Sequence, residues 1–171
     1  MKTDRLKKLA KTIDGLSQQD EKLIERTKAI AELRRRAAVE LHLICAHFVR
    51  DLNQLLSQTE IKLDPPEYAP ESFQEEGSNL IQINARGRLL QIEFQAPPEL
   101  ISTEDFRVPY ILAGAVRSFN QDLLDRDIIE EQFVFYCLEK KGNLWRFFDA
   151  RTYRTAPFNE DYLAALMEQL V

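Results

Sequence analysis

The sequence predicts an α+β protein: a long N-terminal helix of coiled-coil type, then a small antiparallel sheet covered by helices, in the order α-ββ-α-ββ-α. Three observations predict it. A heptad ladder runs through the first third of the chain. Two pairs of strand-like segments meet at turn-forming residues further on. Two later segments carry apolar residues at helical spacing.

The ladder is read at alternating steps of three and four from residue 6 to residue 55. Eleven of its fifteen positions are apolar: Leu6, Leu9, Ile13, Leu16, Leu23, Ile30, Ala37, Leu41, Ile44, Phe48 and Leu55. The others are Asp20, Thr27, Arg34 and Asp51. A 3.5-residue period marks a helix that lays a narrow seam against a partner helix. Gly15 is the weak point, because glycine costs about 1 kcal/mol against alanine in a helix interior. Ser17 behind it could cap a new start, with Asp20 three residues on. The ladder passes this point in phase, which favours one continuous helix.

The stripe changes width along the helix. Up to Ile30 it is narrow. From Ala37 it widens as Ala38, Val39, Leu43, Ala46, Val49, Leu52 and Leu56 join. A wide stripe suits a helix packed on a globular core. The early part therefore needs a partner, most simply a second copy, and Leu6, Leu9, Ile13, Leu16, Leu23 and Ile30 are the expected dimerisation residues.

Residues 59–78 read as a linker, with Pro65, Pro66, Pro70, Gly77 and Ser78 among acidic residues. The expected organisation is a helix over 1–58, this linker, and a compact α+β domain over 79–171. In that domain Leu80–Ala85 and Arg88–Phe94 form a hairpin across Arg86-Gly87. A helix is expected from Asp105–Pro109 to about Asp125, with Ile111, Leu112, Ala115, Val116, Phe119 and Leu123 on one face. Phe133–Leu138 is a continuous apolar run that suits a central strand, and Leu144–Asp149 returns from the turn at Lys140–Asn143. Arg151–Pro157 is irregular or a short edge strand. Asn159 caps a last helix, Glu160–Leu170.

The totals limit the function classes. The 171 residues are 44% hydrophobic and 30% charged, which suits a globular chain rather than a disordered one. No apolar run reaches the ~18 residues of a membrane span. The N-terminus has no uninterrupted apolar core, so a signal peptide is not expected. Cys45 and Cys137 make neither a disulfide framework nor a zinc site, and a cytoplasmic protein with reduced thiols is expected. Residues 1–58 carry twelve Lys and Arg against eight Asp and Glu, and residues 59–171 carry eleven against twenty. A domain so acidic argues against nucleic acid as a partner.

Signs of chemistry are sparse. His42 and His47 are five apart and face different sides of a helix. The five glycines are scattered, where phosphate-cradling loops need them clustered. No cofactor is expected. Asp122, Asp125 and Asp127 crowd the end of the expected middle helix, where the dipole disfavours them. Glu139 and Lys141 match the Glu-x-Lys element of metal-dependent nucleases, with Asp149 as a second carboxylate; that is the competing enzymatic reading. Arginines and aromatics cluster at Trp145, Arg146, Arg151 and Tyr153, a composition that protein interfaces favour. These four are the candidate protein-binding residues. The element order, size and acidity are similar to those of class I type III secretion chaperones. That resemblance implies a dimer that binds extended protein segments, although the long heptad helix departs from it. A non-catalytic homodimeric scaffold or protein-binding module is the function these features favour.

Overall fold

A computed structural model describes residues 1–97, 109–120 and 130–171. Helix α1 runs from Lys2 to Leu55 without a break at Gly15. The chain divides into two units, Met1–Leu33 and Arg34–Val171.

Met1–Leu33 is helix from Lys2 onward, and every residue from 1 to 29 is exposed. Thr12 and Thr27 turn their hydroxyls back onto the carbonyls of Lys8 and Leu23, at 3.0 and 2.9 Å. This is the usual way a threonine satisfies itself inside a helix.

Arg34–Val171 is built on a seven-stranded antiparallel sheet. Its strands are β1 (Lys62–Asp64), β2 (Asn79–Ala85), β3 (Arg88–Gln95), β4 (Tyr110–Asn120), β5 (Glu130–Cys137), β6 (Leu144–Asp149) and β7 (Arg154–Pro157). They lie side by side in chain order, so each strand pairs with its sequence neighbour. The β2–β3 hairpin stands where the alternation places it. Arg86 and Gly87 both take positive φ, 55° and 88°, as a two-residue primed turn requires, and the Asn84 carboxamide oxygen accepts from Gly87 N at 2.8 Å. The β5–β6 hairpin also stands where expected, and β7 is the edge strand after it.

The middle of the domain corrects the expected α-ββ-α-ββ-α order. Residues 110–120 are strand β4, paired with β3 on one side and β5 on the other, with Ile92 opposite Val116 and Gly114 opposite Val134. The rest of the expected Asp105–Asp125 helix lies outside the described residues, as do Asp122, Asp125 and Asp127. Among the described residues there are two α-helices, so the sheet is not covered by helices in the expected pattern. The reason is physical. Tyr110, Ile111, Leu112, Ala115 and Val116 are all buried, on both faces of a strand flanked on both edges. Burial on both faces erases the period-2 alternation, and the remaining apolar run matches helical spacing by chance. The element order, one of the three features behind the resemblance to secretion chaperones, is therefore not the observed one.

Gly114 fits β4 tightly against β3. A Cβ there would collide with the carbonyl oxygen of Glu93 and stand 2.8 Å from Phe94 Cα. No residue with a side chain fits without shifting the strand.

One face of the sheet carries Ile81, Ile83, Leu90, Ile92, Phe94, Val134 and Trp145, all 0 or 1% exposed. Helix α2 (Glu160–Leu170) lies near β3 and β4 and brings Leu163, Leu166 and Met167 into the core. Asn159 caps it, accepting from Tyr162 N at 3.0 Å. From Arg34 onward α1 buries Ala37, Ala38, Leu41, His42, Cys45, Phe48 and Val49, a stripe wider than two heptad positions. Leu43, expected in that stripe, is 49% exposed. Ala37 and Ala38 are small enough for close approach, and Trp145 Nε1 donates to the Ala37 carbonyl at 2.8 Å. Arg34 fixes three segments at once. Its guanidinium donates to Ile111 O at 3.0 Å, to Pro97 O at 3.2 Å and to the Glu75 carboxylate at 2.7 Å. Residues 59–78 supply β1 and a 3-10 turn at Pro70–Ser72, and Asn53 holds their entry by hydrogen bonds to both N and O of Ile61.

Candidate functional site

The first candidate surface is the seam of Met1–Leu33. Leu6, Leu9, Ile13, Leu16 and Leu23 are 54–62% exposed, Ile24 beside them is equally open, and Ile30 is half-buried. In heptad terms Leu6, Ile13, Asp20 and Thr27 hold the a positions, and Leu9, Leu16, Leu23 and Ile30 the d positions. Leucine or isoleucine stands at every d position, and Leu9, Leu16 and Leu23, open to water, lack the contact for which the repeat is built. Among the described residues the only ion pair of this unit joins the N-terminal amine to Asp4, at 4.0 Å.

The four arginine and aromatic candidates do not form one surface. Trp145 is 1% exposed and belongs to the core, edge-on to Phe94 and Tyr136 with ring centroids 5.6 Å away in each case. Arg146, next along the strand, faces the other side and grips Glu139 through two contacts of 2.6 and 3.3 Å. That hydrogen bond raises the affinity of the Arg146 guanidinium for its proton. Arg151 and Tyr153 lie on the β6–β7 turn and are exposed, Tyr153 by 69%. Tyr153 has φ of 56°, a left-handed conformation that is uncommon for an aromatic residue. Asp149 steadies the turn by accepting from Arg151 N at 2.9 Å.

The residues considered for catalysis have the following surroundings. Both oxygens of Glu139 accept from Arg146, so the carboxylate is already neutralised by a cation. Lys141 is exposed at the turn. Among the described residues no group of three or more His, Cys, Asp or Glu side chains is close enough to hold a metal ion. His42 is buried, donates from Nε2 to the Pro65 carbonyl at 2.7 Å and stacks on Tyr68. Cys45 and Cys137 are buried free thiols, and burial pushes each up to about 12, which suppresses the nucleophilic thiolate.

Two arrangements escaped the sequence. The first is a cross-strand cluster on the sheet, in which Arg117 donates to Glu93 on β3 and Glu131 on β5, at 2.7 Å each. Hydrogen bonds from Ser78 and Arg117 hold the Glu93 carboxyl below its ordinary range. Register alone brings these residues together, and a helical reading of residues 110–120 hides it. The second is an apolar groove of about 440 Å³ between the end of α1, α2 and the tip of the β2–β3 hairpin. Phe48, Leu52, Ile61 and Met167 line it, with Arg86 and Arg88 at its side. Among the described residues the buried Arg88 Nε has no hydrogen-bond partner there. The groove is assembled from segments more than a hundred residues apart, so no local signal announces it.

Among the described residues no helix is long and apolar enough to cross a membrane. A scan of protein-family models and searches of curated proteins and of solved structures give no match to this chain.

Proposed function

We propose that this protein is a non-catalytic homodimeric scaffold or protein-binding module, acting in the cytoplasm, with residues 1–33 of α1 as the dimerisation element. One observation carries the reading: a heptad seam in which Leu6, Leu9, Ile13, Leu16 and Leu23 stand open to water. Burying the exposed half of Leu6, Leu9, Ile13, Leu16 and Leu23 on each of two helices would contribute on the order of 10 kcal/mol. Association costs roughly 4–15 kcal/mol. The balance suits a reversible dimer. The occupant is a second copy because a heptad seam is self-complementary, each d leucine filling a hole that an identical helix provides.

The sheet unit supplies recognition in this reading, through the exposed cation and ring of Arg151 and Tyr153 on one turn. The buried, unpaired thiols suit a reducing compartment.

Light scattering on the full chain between 1 and 100 µM (about the range a reversible dimer populates) tests the proposal. The native chain should run as a dimer. Leu9→Glu with Leu16→Glu should run as a monomer with an unchanged melt of the sheet unit. A monomeric native chain throughout this range would overturn it.

A further inference from the structure

Dimerisation through the seam leaves open which way the second helix runs. Three features of Met1–Leu33 decide that orientation, which presupposes the proposed dimer.

The first feature is Asp20 at an a position. In a parallel, in-register pair Asp20 meets Asp20 of the other copy inside the seam, two like charges in one partly desolvated layer. In an antiparallel pair a positions face d positions. The register that uses all eight seam residues places residue n opposite residue 36 − n. Leu6 then faces Ile30, Leu9 faces Thr27, Ile13 faces Leu23, and Leu16 faces Asp20. Every layer holds at least one leucine or isoleucine, and no layer holds two polar residues.

The second feature is the charge along the helix. Residues 1–16 hold five Lys and Arg against two Asp, whereas residues 17–33 hold three Lys and Arg against four Asp and Glu. The two halves are centred about 25 Å apart at 1.5 Å per residue, several times the ~8 Å Debye length at physiological salt. Each half therefore responds to the half beside it. A parallel pair sets basic against basic, and an antiparallel pair sets basic against acidic. None of these charges forms an ion pair within its own chain, among the described residues, except Asp4 with the N-terminal amine.

The third feature is extent. The eight seam layers of the antiparallel register span residues 6–30, which lie in the stretch that is open to solvent up to residue 29 and half-covered at Ile30. The e positions Ala10, Ser17, Ile24 and Ala31 are uncharged, so flanking ion pairs do not impose the opposite orientation.

We infer that two copies of this chain pair through residues 1–33 as an antiparallel two-stranded coiled coil centred on Gln18.

Cysteine placement reads the orientation directly, since Cys45 and Cys137 are both buried and do not compete. Leu9→Cys alone puts the two new thiols side by side in a parallel pair and roughly 27 Å apart in the antiparallel one. Leu9→Cys combined with Thr27→Cys brings unlike positions together in the antiparallel pair. Under mild diamide oxidation the single variant should stay monomeric on a non-reducing gel, and the double variant should become covalently dimeric. A nitroxide on Lys8→Cys, outside the seam, gives a second reading that leaves packing intact. The antiparallel pair predicts a label separation of roughly 30 Å or more, from twenty residues of helical rise. Cross-linking of Leu9→Cys alone, or a label separation under roughly 20 Å, would show a parallel pair and overturn the inference while leaving the dimer standing. A dimer in which neither variant cross-links would overturn it too, as would a trimer or tetramer. A native chain that is monomeric by light scattering would instead remove the dimer on which it rests.

Discussion

Helix α1 shows what one element becomes in two surroundings. In its first 33 residues Leu6, Leu9, Ile13, Leu16 and Leu23 follow a 3.5-residue period and stand exposed. From Arg34 to Leu55 the same helix buries seven residues in a broader stripe and accepts a hydrogen bond from a core tryptophan. Intrinsic helix propensity differs little between the two stretches. The width of the apolar stripe differs, and so does what lies against it. A narrow stripe encodes a partner that must come from elsewhere, and a broad one encodes the chain's own core.

The two glycines in helix and strand interiors sharpen this contrast most. Gly114 has no room for a methyl group against β3, whereas nothing lies within 4 Å of a Cβ built on Gly15. Gly114→Ala should destabilise the sheet unit by more than about 3 kcal/mol, or prevent its folding, because strand backbone must move. Urea denaturation followed by tryptophan fluorescence measures this. A loss below about 1 kcal/mol would mean that β3 and β4 are less tightly apposed than their register indicates.

Trp145→Phe comes next. It removes the second donor to the Ala37 carbonyl, which also serves the helix, and opens a small void beside Phe94 and Tyr136, for a cost of about 1–3 kcal/mol. Near-ultraviolet circular dichroism during denaturation reads it, and a neutral result would break the assignment of α1 from Arg34 onward to the core.

Gly15→Ala acts in the other direction. It should strengthen the helix by about 1 kcal/mol per chain and tighten self-association by roughly fivefold or more. Sedimentation equilibrium at several concentrations tests this. Weaker association would indicate that the dimer needs a kink at Gly15.

Removing residues 1–30 should shift the melting temperature of the remainder by only a few degrees and abolish self-association, since Arg34–Val171 is a unit by itself. Loss of a cooperative melt would break the two-region view of α1. The smallest effect belongs to Arg151→Ala. Arg151 is exposed, with a 3.8 Å contact to Asp149, and should cost within about 0.5 kcal/mol. Arg146→Ala should cost more, because Glu139 is three-quarters buried beside it and would lose its cation.

The sequence by itself determined the elements whose signal is local. The heptad spacing specifies α1, the Arg86-Gly87 turn specifies the first hairpin, and Asn159 specifies the start of α2, because caps, turns and amphipathic periods act within a few residues. The tertiary structure alone decided the rest. Residues 110–120 are a strand because neighbours on both edges and burial on both faces outweigh a weak helical spacing. Trp145 is core and Tyr153 is surface because the pleat and the β6–β7 turn send them different ways, although composition groups them together. Arg117 meets Glu93 and Glu131, and Arg88 reaches the apolar groove, only once register is fixed. Register is a property of pairing between distant segments, and a single strand carries no record of which residue will lie opposite.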